Sequence, residues 1–202
     1  VDFETILFLL AMQMIVTICE QHKIFQWIAL KTLYLTKGNH RKFFYLICII
    51  SAFTAALIAD ITVAVIFIPL VIRACKILRI NATPYLFGIS FTVNIGSLYT
   101  PFSSSENILI SSTFDRTVEW FLGSFTLYVI PMLLFTLFLL YIVFLRKIDP
   151  PKEERKLILL EIMDPDIVIV SKKGFILNSI YFLTIIVGFV LFSESWIVAI
   201  IG

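Results

Sequence analysis

Two carboxylates lie where carboxylates are expensive. Asp60 sits inside a thirty-residue apolar stretch, Phe43 to Ile72, and Glu106 lies in a second apolar segment, Pro84 to Ser112. A carboxylate at membrane depth costs at least about 2.5 kcal/mol, so by default it faces protein or water and serves a function. Around them stand groups able to bind ions or a small solute: Thr62 beside Asp60, then Asn94, Gly96, Thr100, Ser103, Ser104, Ser105 and Asn107 in one polar run. Asp60 is the candidate charge-compensating acid, with helix capping as its structural alternative. Glu106 is a candidate proton carrier, or a pairing group for a segment not contained in this sequence. The amides of Asn94 and Asn107 must find partners if buried, as ligands or as helix caps. Gly96 would allow a backbone bend, and the serines would supply hydroxyl ligands or form a plain link.

Enzyme chemistry fits poorly. An intramembrane aspartyl dyad needs a second aspartate on a neighbouring helix, and the chain has no phosphate-binding loop, H-E-x-x-H or nucleophile elbow. His22 and His40 lie in basic loop sequence, with no metal or proton role expected, and Cys19, Cys48 and Cys75 read as small buried hydrophobes. No cofactor is expected beyond Na⁺ or H⁺ as a coupling ion, and no metal beyond Na⁺ at the hairpin tip.

The elements that must position these groups follow from composition. Sixty per cent hydrophobic residues, twenty phenylalanines and 15% charged residues place the chain in a bilayer, as does a mean hydropathy of +1.01. The first span is Phe3 to Cys19; Ile24 to Leu35 reads as an interfacial helix anchored by Trp27 and Tyr34, or as a tilted extension of that span. Asp115, Arg116 and Glu119 make a short polar link, and Phe121 to Leu145 is an uncharged span containing Pro131. A charged linker, Arg146 to Lys173, leads to a last span, Phe175 to Phe192, and Ser193-Glu194-Ser195 turns into a further apolar start, Trp196 to Gly202. The run Lys152 to Lys156 reads as solvated, with Leu157 to Met163 on the membrane surface. The acidic opening Val1-Asp2-Phe3-Glu4 is no secretory signal, and the chain reads as cut at both ends.

The Phe43–Ile72 stretch has basic residues at both ends. As one helix it would run about 45 Å, too long for a core of about 30 Å. A re-entrant hairpin, residues 43–79, with Asp60 near its tip satisfies both facts. With its mouth in the cytoplasm, segments 20–42, 73–83 and 146–173 hold 15 of the 16 Lys and Arg residues, leaving only Arg116 outside. A second break, Asn94 to Asn107, interrupts the span 82–113. Non-helical backbone at this depth is tolerated only where protein or a water-filled cavity satisfies it. Half-helices starting near Thr62 and near Asn107 would aim positive ends inward to hold an anion, while unwound carbonyls hold a cation.

The string Leu57-Ile58-Ala59-Asp60-Ile61-Thr62-Val63 through Ile68-Pro69-Leu70-Val71-Ile72-Arg73 resembles the arsenite-efflux, P-protein and NhaD-type antiporter branch of the ion transporter superfamily, with its citrate-transporter-like domain. That branch reads L-x-D-N-x-T and then P-x-x-x-R. Asn94 to Asn107 is similar to its N-I-G-G-x-x-T-x-I-G-D-P-P-N at Asn94, Ile95, Gly96, Thr100 and Asn107, and Val1-Asp2-Phe3-Glu4-Thr5 is similar to its V-D-F-x-T. The departures are Ile61 in place of the asparagine and Ser103-Ser104-Ser105-Glu106 in place of G-D-P-P. The resemblance implies an all-α membrane protein with a re-entrant hairpin and a discontinuous helix, half of an inverted-repeat, elevator-type secondary transporter. It divides the chain into first-repeat helices (1–147), a cytoplasmic linker (148–173) and the start of a second repeat (174–202). It also implies a plasma-membrane protein moving a small anionic or metalloid solute with H⁺ or Na⁺ and binding no nucleic acid, with a homodimer expected. A Na⁺/H⁺ antiporter, a channel and a degenerate structural homologue remain alternatives.

Overall fold

A computed structural model describes residues 3–101, 103–114, 116–169 and 171–191. Val1, Asp2, Phe102, Asp115, Val170 and the segment from Phe192 to Gly202, including Ser193-Glu194-Ser195, lie outside the described residues. Nine α-helices follow one another among the described residues: α1 (Phe3–Gln21), α2 (Ile24–Leu35), α3 (His40–Ala55), α4 (Asp60–Leu78), α5 (Thr83–Gly96), α6 (Ser105–Phe114), α7 (Val118–Val143), α8 (Glu153–Ile162) and α9 (Lys172–Leu191). The described residues contain no strand, and the chain is an all-α membrane protein. By length and composition α4 and the segment Val118–Lys147, which contains α7, suffice to cross a membrane.

The long apolar stretch is two helices joined by a turn, as the matched basic flanks require. The α3 end of the hairpin is anchored by Asn39, whose side chain accepts from Arg41 and Lys42 N–H at 3.1 Å each. His40, Arg41 and Lys42 are therefore the first turn of α3 and not loop, and His40 is buried. With 19 residues, α4 runs about 28 Å. That is longer than a shallow dip needs, so this arm is close to bilayer length.

The centre of the fold is α3 against α5, packed in parallel. At one end Tyr85 Oη donates to the His40 carbonyl at 3.0 Å, and its ring lies 5.3 Å from Phe43 and 5.8 Å from Phe44. Further along, Gly88, Thr92 and Gly96 fall every fourth residue on one face of α5. A Cβ on Gly88 would stand 2.6 Å from Cys48 Sγ, and one on Gly96 would stand 2.1 Å from the Ala52 carbonyl oxygen. Between them Thr92 Oγ1 and Ser51 Oγ form a buried pair 3.0 Å apart. Lipid tails are as apolar as leucine, so helices gain by close packing between small residues and by polar contacts across the interface.

The remaining helices complete this core. Phe25, Ala29 and Leu33 of α2 are fully buried, and α2 packs on α1, α3 and α4. It packs as part of the core, with Lys31 5.7 Å from both the Trp27 and Tyr34 rings. The Lys152–Lys156 run is solvated, with Lys152, Glu153 and Glu154 exposed, but it is not a plain link. It opens α8, which packs on α4 and buries Leu159 and Met163 while Leu157 and Ile162 stay exposed. The Lys156 stem lies against Gly38, which takes φ +70 where a side chain would strike it. The start of α9 meets α2 through Trp27–Phe175 and Phe25–Phe182 ring contacts of 5.4 and 5.6 Å. Cys19, Cys48 and Cys75 are free and buried, as small hydrophobes.

Candidate functional site

The hairpin turn and the helix break meet at the end of α3 and α5. The last carbonyls of α3 and the first N–H groups of α4 lack helical partners, and the break supplies them. Thr100 Oγ1 donates to the Ala56 carbonyl at 2.8 Å, and the Asp60 N–H donates to the Ser103 carbonyl at 3.0 Å. The sequence predicted two polar interruptions close along the chain; the structure ties them together.

Within the break, α5 ends at Gly96, a 3₁₀ turn covers Ser97–Tyr99, and α6 begins at Ser105. Two carbonyls, Ser97 O and Thr100 O, point into the gap. Asn107 is buried, and its Nδ2 donates to both, at 2.8 and 2.9 Å. Ser103, also buried, places Oγ on Ser97 O and 2.9 Å from Thr100 O; its single proton serves one at a time. Ser104 Oγ accepts the Asn107 N–H at 3.3 Å at the start of α6. Half-buried Ser104 thus works as a cap, and Thr100, Ser103 and Asn107 as backbone clamps. These two unwound carbonyls, of the kind expected to hold a cation, are already engaged by side chains.

Gly96 has helical dihedrals, φ −64 and ψ −38, which any residue adopts. Glycine is needed there because the α3 backbone comes so close, not for the bend expected from the sequence. Asp60 is half-buried at the first position of α4, and its Oδ1 accepts the Ile61 N–H at 2.7 Å. The helix-cap position itself is Ala59. The half-helices begin at Asp60 and Ser105, two residues before the expected starts near Thr62 and Asn107. Thr62 is half-buried one turn in, and Ile61, at the place of the family asparagine, is 75% exposed.

The other predicted groups lie outside the clamp. Asn94 is exposed and its Nδ2 donates back to the Ser90 carbonyl at 2.7 Å. Ser105 and Glu106 are exposed in the first turn of α6, with Ser105 Oγ 3.3 Å from Glu106 Oε2. Among the described residues no three His, Cys, Asp or Glu side chains cluster as metal ligands. Sequence reasoning missed Ser97 and Ala56, whose contribution is a carbonyl. It also missed the Gly88-Thr92-Gly96 face, although its four-residue spacing was there to be read.

A helical hairpin locked onto an interrupted helix inside an apolar bundle defines a class of membrane transport fold. The citrate transporter family matches residues 1–201, and the chain belongs to that family. It is 31% identical over 112 residues to a 46 kDa membrane protein of Mycobacterium leprae, covering 55% of this chain and 26% of the relative. It is 30% identical over 112 residues to the P protein of Sus scrofa, covering 55% of this chain and 13% of that protein. An uncharacterized transporter of Mycobacterium tuberculosis is 27% identical over 134 residues, or 66% of this chain and 31% of the relative. The chain thus spans no more than about a third of the length of these relatives. No solved structure matches it.

Proposed function

We propose that the chain supplies one half-site of a secondary active transporter that moves an anion or metalloid oxyanion coupled to H⁺ or Na⁺. The observation that carries this is the Asp60–Ser103 bond. It sets the N-terminus of α4 within two residues of the N-terminus of α6, so two positive helix ends open at one place. Such ends favour an anionic group such as a carboxylate or an oxyanion. Each first turn also holds an acid, Asp60 in α4 and Glu106 in α6. These carboxylates offset the positive ends, so an anionic solute binds well only once a proton or Na⁺ neutralises one of them. That requirement is the coupling. The hairpin and broken span, bonded to each other, move as a unit past the rest of the bundle. The basic segments 20–42, 73–83 and 146–173 face the cytoplasm of a plasma-membrane protein, and the assembly is a homodimer.

The test is solute-driven proton or Na⁺ flux in vesicles holding the full-length protein. Asp60→Asn is expected to abolish coupled flux while leaving the protein folded. Wild-type flux in that variant would sink the coupling role, and single-channel currents would replace the transporter reading with a channel.

A further inference from the structure

A second feature lies away from the hairpin tip, at the opposite end of α5. Both candidate spans end there: Arg79 directly follows the span Asp60–Leu78, and Lys147 closes the span Val118–Lys147. Between them opens a cleft of about 530 Å³ whose lining includes Arg79, Asn81, Lys147, Asp149, Val143 and Phe144. Two cations face one carboxylate, leaving one positive charge in excess. The ion pair among the described residues is Lys156–Glu153, so neither Arg79 nor Lys147 is paired with Asp149. A cleft at the end of two spans sits at headgroup level.

The walls change character with depth. Phe144 stacks on Phe87 at 5.7 Å, and Phe87 stacks on Phe91 at 6.2 Å, making a ladder of rings along α5 and α7. Its far end is a second cleft of about 170 Å³ bordered by Phe91, Phe135 and Leu139. Phe135 lies eight residues before Val143, both within α7, so the groove runs about 12 Å along the helix. One leaflet of hydrocarbon is about 15 Å deep. A charged mouth with an apolar groove of nearly leaflet depth has the shape and polarity of a phospholipid.

We propose that this groove binds a diacyl phospholipid of net charge −1, its phosphate between Arg79 and Lys147 and one acyl chain along Phe144, Phe87, Phe91 and Leu139. Asn81 and Asp149 meet the hydroxyls of a glycerol headgroup. Zwitterionic choline lipids lack the negative charge that matches the excess cation and have no hydroxyl to offer Asp149.

The test uses the full-length protein reconstituted with lipids brominated on the acyl chains. A Leu139→Cys variant carries a fluorescent probe; the three cysteines of this chain are buried, and Leu139 is 44% exposed. Brominated phosphatidylglycerol is expected to quench the probe far more strongly than brominated phosphatidylcholine. Each basic residue near an anionic headgroup is worth about fivefold in affinity, so a preference of roughly twentyfold is expected. It should fall about fivefold in Lys147→Gln and vanish in Arg79→Gln/Lys147→Gln, while Lys147→Arg and Lys172→Gln/Lys173→Gln keep it. Equal quenching by the two lipids, or a preference that survives the double variant, overturns the proposal. So does a probe that neither lipid reaches, which would mean that protein fills the groove.

Discussion

Replacing Asn107 by alanine removes the two N–H groups that hold the break closed. Three protons serve Ser97 O and Thr100 O: two from Asn107 Nδ2 and one from Ser103 Oγ. A buried acceptor left without any donor costs about 1–3 kcal/mol, whereas losing one of two donors costs about 0.5 kcal/mol. Ser103→Ala leaves one donor for each carbonyl and should cost about 0.5 kcal/mol. Asn107→Ala leaves one proton for two carbonyls and should cost about 2 kcal/mol. The double variant orphans both and should cost about 4 kcal/mol, an excess of about 1.5 kcal/mol over the two singles. Denaturant unfolding of the purified protein in micelles, followed by circular dichroism, measures the four corners of the cycle. The cavity left by each truncation appears in the single variants too and cancels from the excess. Additivity within about 0.3 kcal/mol would refute the shared-carbonyl account.

Gly96→Ala places a methyl group 2.1 Å from the Ala52 carbonyl oxygen, and backbone cannot yield as a side chain does. A loss of about 3 kcal/mol is expected in the same unfolding assay. Gly123→Ala meets nothing within 4 Å in α7 and should be neutral or stabilising by up to about 1 kcal/mol. Thr100→Val keeps the shape but leaves the Ala56 carbonyl without its 2.8 Å partner, at about 1 kcal/mol; protease nicking of the turn is expected to rise. His40, at the mouth of the hairpin, has its pKa held below 6.5 by burial first and then by Arg41 and Lys156. Its contribution is therefore complete above pH 6.5 and declines as pH falls toward the folded value, because the unfolded chain takes the proton first. Melting temperature from pH 8 to 5 should fall more steeply in the wild type than in His40→Leu.

What could be read from the residues was whatever the solvent dictates. An acid in an apolar run, basic residues at both its ends and a second polar interruption announced a hairpin and a broken helix before any contact was known. Pairing was not readable. Nothing in Asn107 itself says that its amide closes on Ser97 and Thr100 rather than on a solute, because that depends on where α6 starts relative to the 3₁₀ turn. Gly96 illustrates the same limit: a glycine in a broken span suggests a bend, and only the approach of Ala52 shows it to be a point of contact. His40 was readable and misread. Asn39 is a strong N-cap, and it placed the following basic residues inside a helix although their charge suggested loop.

The polar groups of the two breaks divide by what already holds them. Thr100, Ser103, Ser104 and Asn107 are occupied by backbone, so changing them alters first the integrity of the break and only through it any binding. Asp60, Thr62, Asn94, Ser105 and Glu106 are half-buried or exposed. Asp60 and Asn94 bond to backbone of their own helix and Ser105 to Glu106, so the proposed half-site draws its ligands from these. The departures from the family pattern fall on both sides of this division. Ser103 and Ser104 replace family residues with hydroxyls that stitch backbone, whereas Ile61 and Glu106 alter the exposed face. The exposed part of the difference from the family pattern is therefore at Ile61, Ser105 and Glu106. An apolar side chain replaces an amide at one helix start, and a carboxylate stands at the other. In the family pattern the aspartate falls at Ser104, and Glu106 returns a carboxylate two residues further on, so in the proposed half-site the number of acids is unchanged and the group lost is the amide at Ile61.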